Sequence, residues 1–217
     1  MNINHARSNM IEQQIRPWEV LDTRVLDVIR QIPREQFVPE SYKNLAFADI
    51  EIPLGQGQLM MSPKLEGRLL QALNINPQDR ILEIGTGSGY LTACLAALGG
   101  NVVTVDYFSE LSQHAGKNLL RHGYSNISFR TGNAAQGWHQ DGPFDVIAIT
   151  GSLPQLHKNF HALLHDHGRL FVITGTEPTM EAHLITRVGE NDFRDESIFD
   201  TFVKPLETLT PKKEMEF

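Results

Sequence analysis

Residues 82–90 read Leu82-Glu83-Ile84-Gly85-Thr86-Gly87-Ser88-Gly89-Tyr90, and the fold is decided there. Ile81–Ile84 is an apolar run of strand length. Gly85–Gly89 lets the chain turn sharply and approach a ligand with no Cβ in the way. Tyr90–Leu98 then reads as a helix ended by Gly99-Gly100. Downstream the alternation continues. Val102–Val105 is a predicted strand, Ser109–His122 a helix stopped by Gly123, Ile127–Arg130 a strand and Phe144–Thr150 a buried strand. Gln155–His165 is a predicted helix stopped by Gly168, Leu170–Thr174 a strand, and residues 182–204 an antiparallel pair at one edge. Strands alternating with helices predict an α/β fold: a doubly wound, mostly parallel seven-stranded sheet of Rossmann-like type, with its ligand site at the strand C-termini.

Upstream, residues 1–45 read as a helical extension, with Asp22 and Thr23 as caps before Val25, Leu26, Val28 and Ile29, and Pro33 ending the helix. Residues 46–62 hold Pro53, Gly55 and Gly57 with little periodicity and read as a long loop of the functional kind. Ser62-Pro63 starts a helix whose apolar face is Leu65, Leu69, Leu70 and Leu73. One domain is expected over 1–217: the extension, the loop, and an α/β core over 63–217. The terminal PKKEMEF is expected to be a frayed tail.

Composition narrows the function. The chain has 217 residues and a formal net charge of −7, which argues against a sequence-independent nucleic-acid partner. Its single cysteine, Cys94, excludes an internal disulfide and multi-cysteine metal sites. With no apolar run of ~20 residues and no signal-peptide pattern, the expectation is a cytosolic protein without a membrane partner.

The glycine loop with Glu83 before it and Asp106 at the end of the next strand suggests a nucleoside ligand, the Asp106 carboxylate accepting ribose hydroxyls. A dinucleotide loop reads G-x-G-x-x-G, whereas this one is shorter, G-x-G-x-G. If Glu83 faces the ligand from ~6 Å, it repels a phosphate by about 3 kcal/mol at an effective dielectric of ~20. The same geometry attracts the ammonium and sulfonium of S-adenosylmethionine (SAM). Two alternatives stay open: Glu83 paired with Arg80, and Asp106 as a cap at the start of a helix.

With these residues in place, the chain resembles the protein-L-isoaspartate O-methyltransferase family. The likeness runs through NMIEQQIRPW at 9–18, RVLDVIRQIPREQFVP at 24–39, AFADIEIPLGQGQ at 46–58, LEIGTGSGYLTACLA at 82–96, GWHQDGPFDVIAIT at 137–150 and FVKPL at 202–206. It implies the SAM-dependent methyltransferase version of the fold, transfer of methyl from SAM to the carboxylate of isoaspartyl residues in damaged proteins, and a monomer or homodimer. It also implies cofactor contacts from Glu83, Gly85, Thr86, Gly87, Ser88, Gly89, Asp106, Tyr107, Asn133 and Ala134, and a substrate loop of Gln58, Leu59, Met60, Met61 and Lys64.

The chain departs from the family where the acceptor is handled. The usual Thr-Ile-Ser is Leu59-Met60-Met61, and a thioether cannot donate a hydrogen bond. Ser62 is the candidate catalytic replacement, its alternative reading being the cap of the following helix. The N-terminus of that helix with Lys64 offers another hold on a carboxylate. The family's Gly-Asp-Gly is Gly132-Asn133-Ala134, where Asn133 is expected to hydrogen-bond adenine through its side-chain oxygen. Three function classes follow: an isoaspartyl methyltransferase, a methyltransferase of the same fold for a small or more hydrophobic acceptor, and a SAM-binding module without turnover.

His157, His161 and His165 recur at four-residue spacing on the predicted helix, a pattern open to a metal but read here as a solvated face, with no metal site expected. Cys94 in TACLAAL reads as a buried small hydrophobe. Trp138 and Tyr90 are open to either cofactor contact or core packing.

Overall fold

Period-two alternation along the central strand sets the layers. Ile81 packs with the N-terminal helices on one face of the sheet, while Leu82 and Ile84 pack against Trp138, Phe160 and Leu163 on the other. A computed structural model describes residues 2–207; the PKKEMEF segment lies outside them. The strands are β1 (Ile52–Gly55), β2 (Gln58–Met60), β3 (Arg80–Ile84), β4 (Asn101–Asp106), β5 (Ile127–Thr131), β6 (Phe144–Leu153), β7 (Leu164–Thr176), β8 (Thr179–Arg187) and β9 (Phe193–Thr201). The large sheet has seven strands in the order β5-β4-β3-β6-β7-β8-β9. β3 is parallel to both β4 and β6, so the strand order reverses at β3 and opens a crevice at its C-terminal end. β8 is antiparallel to β7 and to β9, which is the expected edge pair.

The helices are α1 (Ile3–Met10), α2 (Thr23–Gln31), α3 (Pro63–Leu73), α4 (Tyr90–Leu98), α5 (Ser109–Arg121) and the short α6 (Asn159–Ala162). α1 continues through a π-helical turn and a 3-10 turn as far as Trp18. Asp22 caps α2 by accepting from the Arg24 N–H at 2.9 Å. Met10, Ile11, Ile15, Leu26 and Ile29 are all buried against the core, so the extension is packed on the α/β core rather than appended to it.

Two expectations are corrected. The 46–62 segment is not a plain loop: β1 and β2 form a hairpin in which Gly55 pairs with Gln58. Its two loop residues, Gln56 and Gly57, have φ of 52° and 68°, the pattern of a type I′ turn. Gln-Gly in place of the usual Asn-Gly hides that signal. The helix expected over 155–165 shrinks to α6, because Leu164 already pairs with Phe144 in β7. Phe160, Leu163 and Leu164 are buried as expected, but they are split between α6, the turn after it and β7. The histidines therefore do not share a helix face, and among the described residues no group of three or more His, Cys, Asp or Glu is placed to hold a metal.

Candidate active site

The crevice at the end of β3 holds a cleft with about 910 Å³ of empty space, counting its open mouth. Its floor is the glycine loop. Gly85 has φ +96°, and a Cβ there would lie 2.1 Å from Thr150 Oγ1. That hydroxyl donates toward the carbonyls of Ile84 and Gly85 and locks the loop to the end of β6. Gly87 has φ +52° and faces only Leu54 of the hairpin, at 3.3 Å from a built Cβ. This is a cradle that any side chain would fill.

Asp106 ends β4 beside the loop. Oδ2 accepts from the Gly87 N–H at 2.9 Å and Oδ1 from the Phe108 N–H at 2.8 Å. Burial pushes its carboxyl above the usual range, against those backbone donors. Each oxygen keeps a lone pair for a ribose hydroxyl; Asp106 is not the helix cap of the alternative reading, since α5 has no side-chain cap bond and Asp106 instead holds the turn before it. Tyr107 and Ala134 also line the cleft.

Glu83 is where the structure corrects the sequence most. It does not face the cleft and does not pair with Arg80. Its side chain is fully buried, and Oε2 accepts from Thr92 Oγ1 and Thr104 Oγ1, both at 2.6 Å. Thr104 in turn shares a 2.6 Å hydrogen bond with Thr86 of the loop. Burial pushes the Glu83 carboxyl up to about 8, the two hydroxyls opposing. It is largely uncharged at neutral pH and acts as an anchor beneath the loop. Asn133 is also corrected: it is exposed, does not line the cleft, and its side-chain oxygen accepts from the Ala135 N–H at 3.0 Å. Ser88 Oγ accepts from the Tyr90 N–H at 3.2 Å, holding the start of α4. Tyr90 and Trp138 belong to the core. Cys94 is buried with its thiol pushed well above the usual range, inert as expected.

The roof comes from two segments. The strap 203–207 runs parallel to the end of β6: the Ser152 N–H donates to Lys204 O at 3.1 Å and the Leu206 N–H to Ser152 O at 3.0 Å. The hairpin meets it where Lys204 Nζ donates to Gly57 O at 2.7 Å and Gln58 Nε2 to Glu207 Oε1 at 3.1 Å. Gln58, Leu59, Met60 and Met61 all line the cleft, as the resemblance implies for a substrate loop. Ser62 and Lys64 do not. They border a neighbouring cavity with Trp18, Lys64 is paired with Asp49 at 2.7 Å, and Ser62 stands at the cap position of α3 without bonding it.

Arg34, fully buried, ties both ends of the hairpin segment together. Nε donates to Ala46 O at 2.9 Å and Nη2 to Met61 O at 2.7 Å, Nη1 pairs with Glu66, and the guanidinium lies 4.9 Å from the Tyr90 ring centre. Burial raises the Glu66 carboxyl against the pull of Arg34. The strap, Thr150 and the Arg34–Glu66 pair escaped sequence reasoning. The polar Thr150 closing an apolar strand and the FVKPL segment were the available signals.

A doubly wound sheet whose switch-point crevice holds a glycine cradle and a strand-end carboxylate belongs to the Rossmann-like class of nucleoside-binding proteins. Residues 5–206 match the family model described as protein-L-isoaspartate(D-aspartate) O-methyltransferase (PCMT). The Protein-L-isoaspartate O-methyltransferase of Gloeobacter violaceus is 38% identical over 204 residues, covering 94% of this chain and 100% of its own. Protein-L-isoaspartate O-methyltransferase 1 of Rhodopseudomonas palustris (strain HaA2) is 35% identical, covering 92% and 82%. The chain belongs to this family. A solved protein-L-isoaspartate O-methyltransferase shares the fold with a TM-score of 0.81 at 22% identity, over 93% of this chain and 66% of that one. So does a Plasmodium falciparum chain assigned to the same enzyme class and solved with S-adenosyl-L-homocysteine, with a TM-score of 0.79 at 21% identity, over 95% and 99%.

Proposed function

We propose that this chain is a SAM-dependent methyltransferase acting on the carboxylate of L-isoaspartyl residues in damaged proteins and peptides. The observation that carries this reading is the family match across residues 5–206. The cleft supports it: the Gly85–Gly89 cradle and the spare lone pairs of Asp106 fit the adenosyl group, with Tyr107 and Ala134 beside it. When bound, SAM supplies an electrophilic methyl group on a sulfonium. The chain's own work is positioning. A substrate carboxylate is already ionised at neutral pH and needs no strong base. The hairpin and the strap roof the cleft and exclude water while the acceptor oxygen is aligned. The acidic composition and the single buried cysteine fit a reducing, cytosolic setting, and no helix among the described residues is long and apolar enough to cross a membrane.

One observation favours a second reading. Leu59, Met60 and Met61 line the cleft without a hydroxyl among them, which suits a smaller, more hydrophobic acceptor. The test is methyl transfer from labelled SAM to an isoaspartyl peptide and to its normal aspartyl counterpart. Transfer to the first alone is expected. Equal transfer, or turnover confined to small acids, overturns the isoaspartyl reading.

A further inference from the structure

Among the described residues that line the cleft, the lysines and arginines number one, Lys204, against four acids: Glu51, Glu66, Asp106 and Glu207. A carboxylate acceptor must find a donor there. The hydroxyl expected at residue 61 is a thioether, and Ser62 borders the neighbouring cavity. Glu66 faces Arg34, which is fully buried and already committed to two carbonyls and to Glu66 itself.

We infer that Lys204 holds the carboxylate of the methyl acceptor and so sets the specificity of the site. This rests on the isoaspartyl reading above. The Lys204 backbone is fixed against the end of β6, because its carbonyl accepts from the Ser152 N–H at 3.1 Å and the neighbouring Val203 carbonyl from Ser152 Oγ at 2.7 Å. Its ammonium donates to Gly57 O at 2.7 Å and to Glu207 Oε1 at 3.3 Å. An ammonium has three donors, so one remains uncommitted.

Glu207 shows what this position receives: a carboxylate of the chain itself sits against Lys204 at the cleft wall. That ion pair is weak, since the two side chains are 35% and 40% exposed. Glu207 Oε1 also accepts from Gln58 Nε2 at 3.1 Å. An incoming carboxylate can therefore displace Glu207 from the ammonium and leave it hydrogen-bonded to Gln58. The exchange costs little and places the acceptor beside the hairpin tip, under the roof it helps to close. Lys204 thus replaces by charge what the family's serine supplies by hydrogen bond.

The test is calorimetry on the full chain saturated with S-adenosylhomocysteine, titrated with an isoaspartyl peptide and with the same peptide carrying a carboxamide in place of the acceptor carboxyl. The wild-type protein is expected to prefer the carboxylate tenfold or more, about 1.4 kcal/mol. Lys204→Gln keeps an amide donor for the Gly57 carbonyl but no charge, and is expected to bring the preference within about twofold. Lys204→Arg is expected to keep it. Glu207→Gln removes the competing carboxylate and is expected to tighten the carboxylate peptide severalfold. A Lys204→Gln protein that retains the full preference overturns the inference, as does a wild-type protein with none, and a Glu207→Gln protein with no gain overturns the exchange. Because binding is measured apart from turnover, a Lys204-dependent preference without methyl transfer from SAM refutes the isoaspartyl activity while leaving Lys204 as the carboxylate-binding group of the cleft.

Discussion

Glu83→Gln separates an anchor beneath the glycine loop from a charge in the cofactor site. Burial pushes the carboxyl from its ordinary value of 4.5 up to about 8. Its folded value is raised, so its contribution to stability is fully present below about 4.5 and is lost as pH climbs through 8. A tenfold displacement of a protonation equilibrium is worth about 1.4 kcal/mol. Between pH 5 and pH 9 the wild-type protein should therefore lose about 4 kcal/mol through this group alone. Glutamine keeps an oxygen for the Thr92 and Thr104 hydroxyls but places an NH₂ where Oε1 now has no partner. An unsatisfied buried donor costs about 1–3 kcal/mol. The two stability curves should cross: the variant is weaker at pH 5 and stronger at pH 9, as read by urea unfolding at each pH. Its affinity for SAM relative to S-adenosylhomocysteine should stay within a few fold. Parallel stability curves would refute the buried-anchor account. A loss of about 100-fold for SAM alone, the equivalent of the roughly 3 kcal/mol a facing charge would supply, would restore the cleft-facing role.

Arg34→Met removes the tie between Ala46, Met61 and Glu66; a cost of about 3–5 kcal/mol in chemical unfolding is expected, together with reduced kcat/KM as the hairpin loosens. Gly85→Ala places a Cβ 2.1 Å from Thr150 Oγ1 at φ +96°, so S-adenosylhomocysteine binding should be lost in calorimetry, and adding Thr150→Ala should recover part of the stability but not relieve the backbone strain. Ser62→Ala should change stability by well under the ~1 kcal/mol of a bonded cap and leave kcat/KM within twofold, because Ser62 neither bonds the start of α3 nor lines the cleft.

Much of the fold was legible because the parallel strands are short apolar runs bounded by glycine, and LEIGTGSGY marks the switch point. What escaped was set by tertiary pairing. Phe160, Leu163 and Leu164 have helical spacing, yet the ladder from Phe144 to Leu164 claims the last of them for a strand. Gln56-Gly57 adopts a hairpin turn whose positive φ at Gln56 is not announced by its residue type. At the site, the glycine loop and Asp106 were pointed to by motif and spacing, and residues 58–61 by the family resemblance; all of them border the cleft. Glu83 and Asn133 were assigned to the right neighbourhood and the wrong direction: a strand alternates faces, but its sequence does not say which face Glu83 takes, and Asn133, in the loop after β5, turns its side chain back on the Ala135 N–H. Arg34 and Lys204, distant in sequence from the loop, enter the site only through folding.

The preference for a sulfonium nucleoside over a dinucleotide survives the loss of Glu83 as a cleft charge, for a different reason. A pyrophosphate binds a glycine loop through free backbone N–H groups at the start of a helix. Here four of those donors are already taken. The Gly85 N–H donates to Val105 O at 2.8 Å and the Gly89 N–H to Thr86 O at 2.9 Å. The Gly87 N–H goes to the Asp106 carboxyl at 2.9 Å and the Tyr90 N–H to Ser88 Oγ at 3.2 Å. A phosphate would have to strip these bonds and sit against Asp106, with no lysine or arginine of the loop to repay it. A neutral ribose asks only for the spare lone pairs of that same carboxylate. The discrimination the sequence assigned to one glutamate is distributed over the backbone of the loop and the aspartate that holds it.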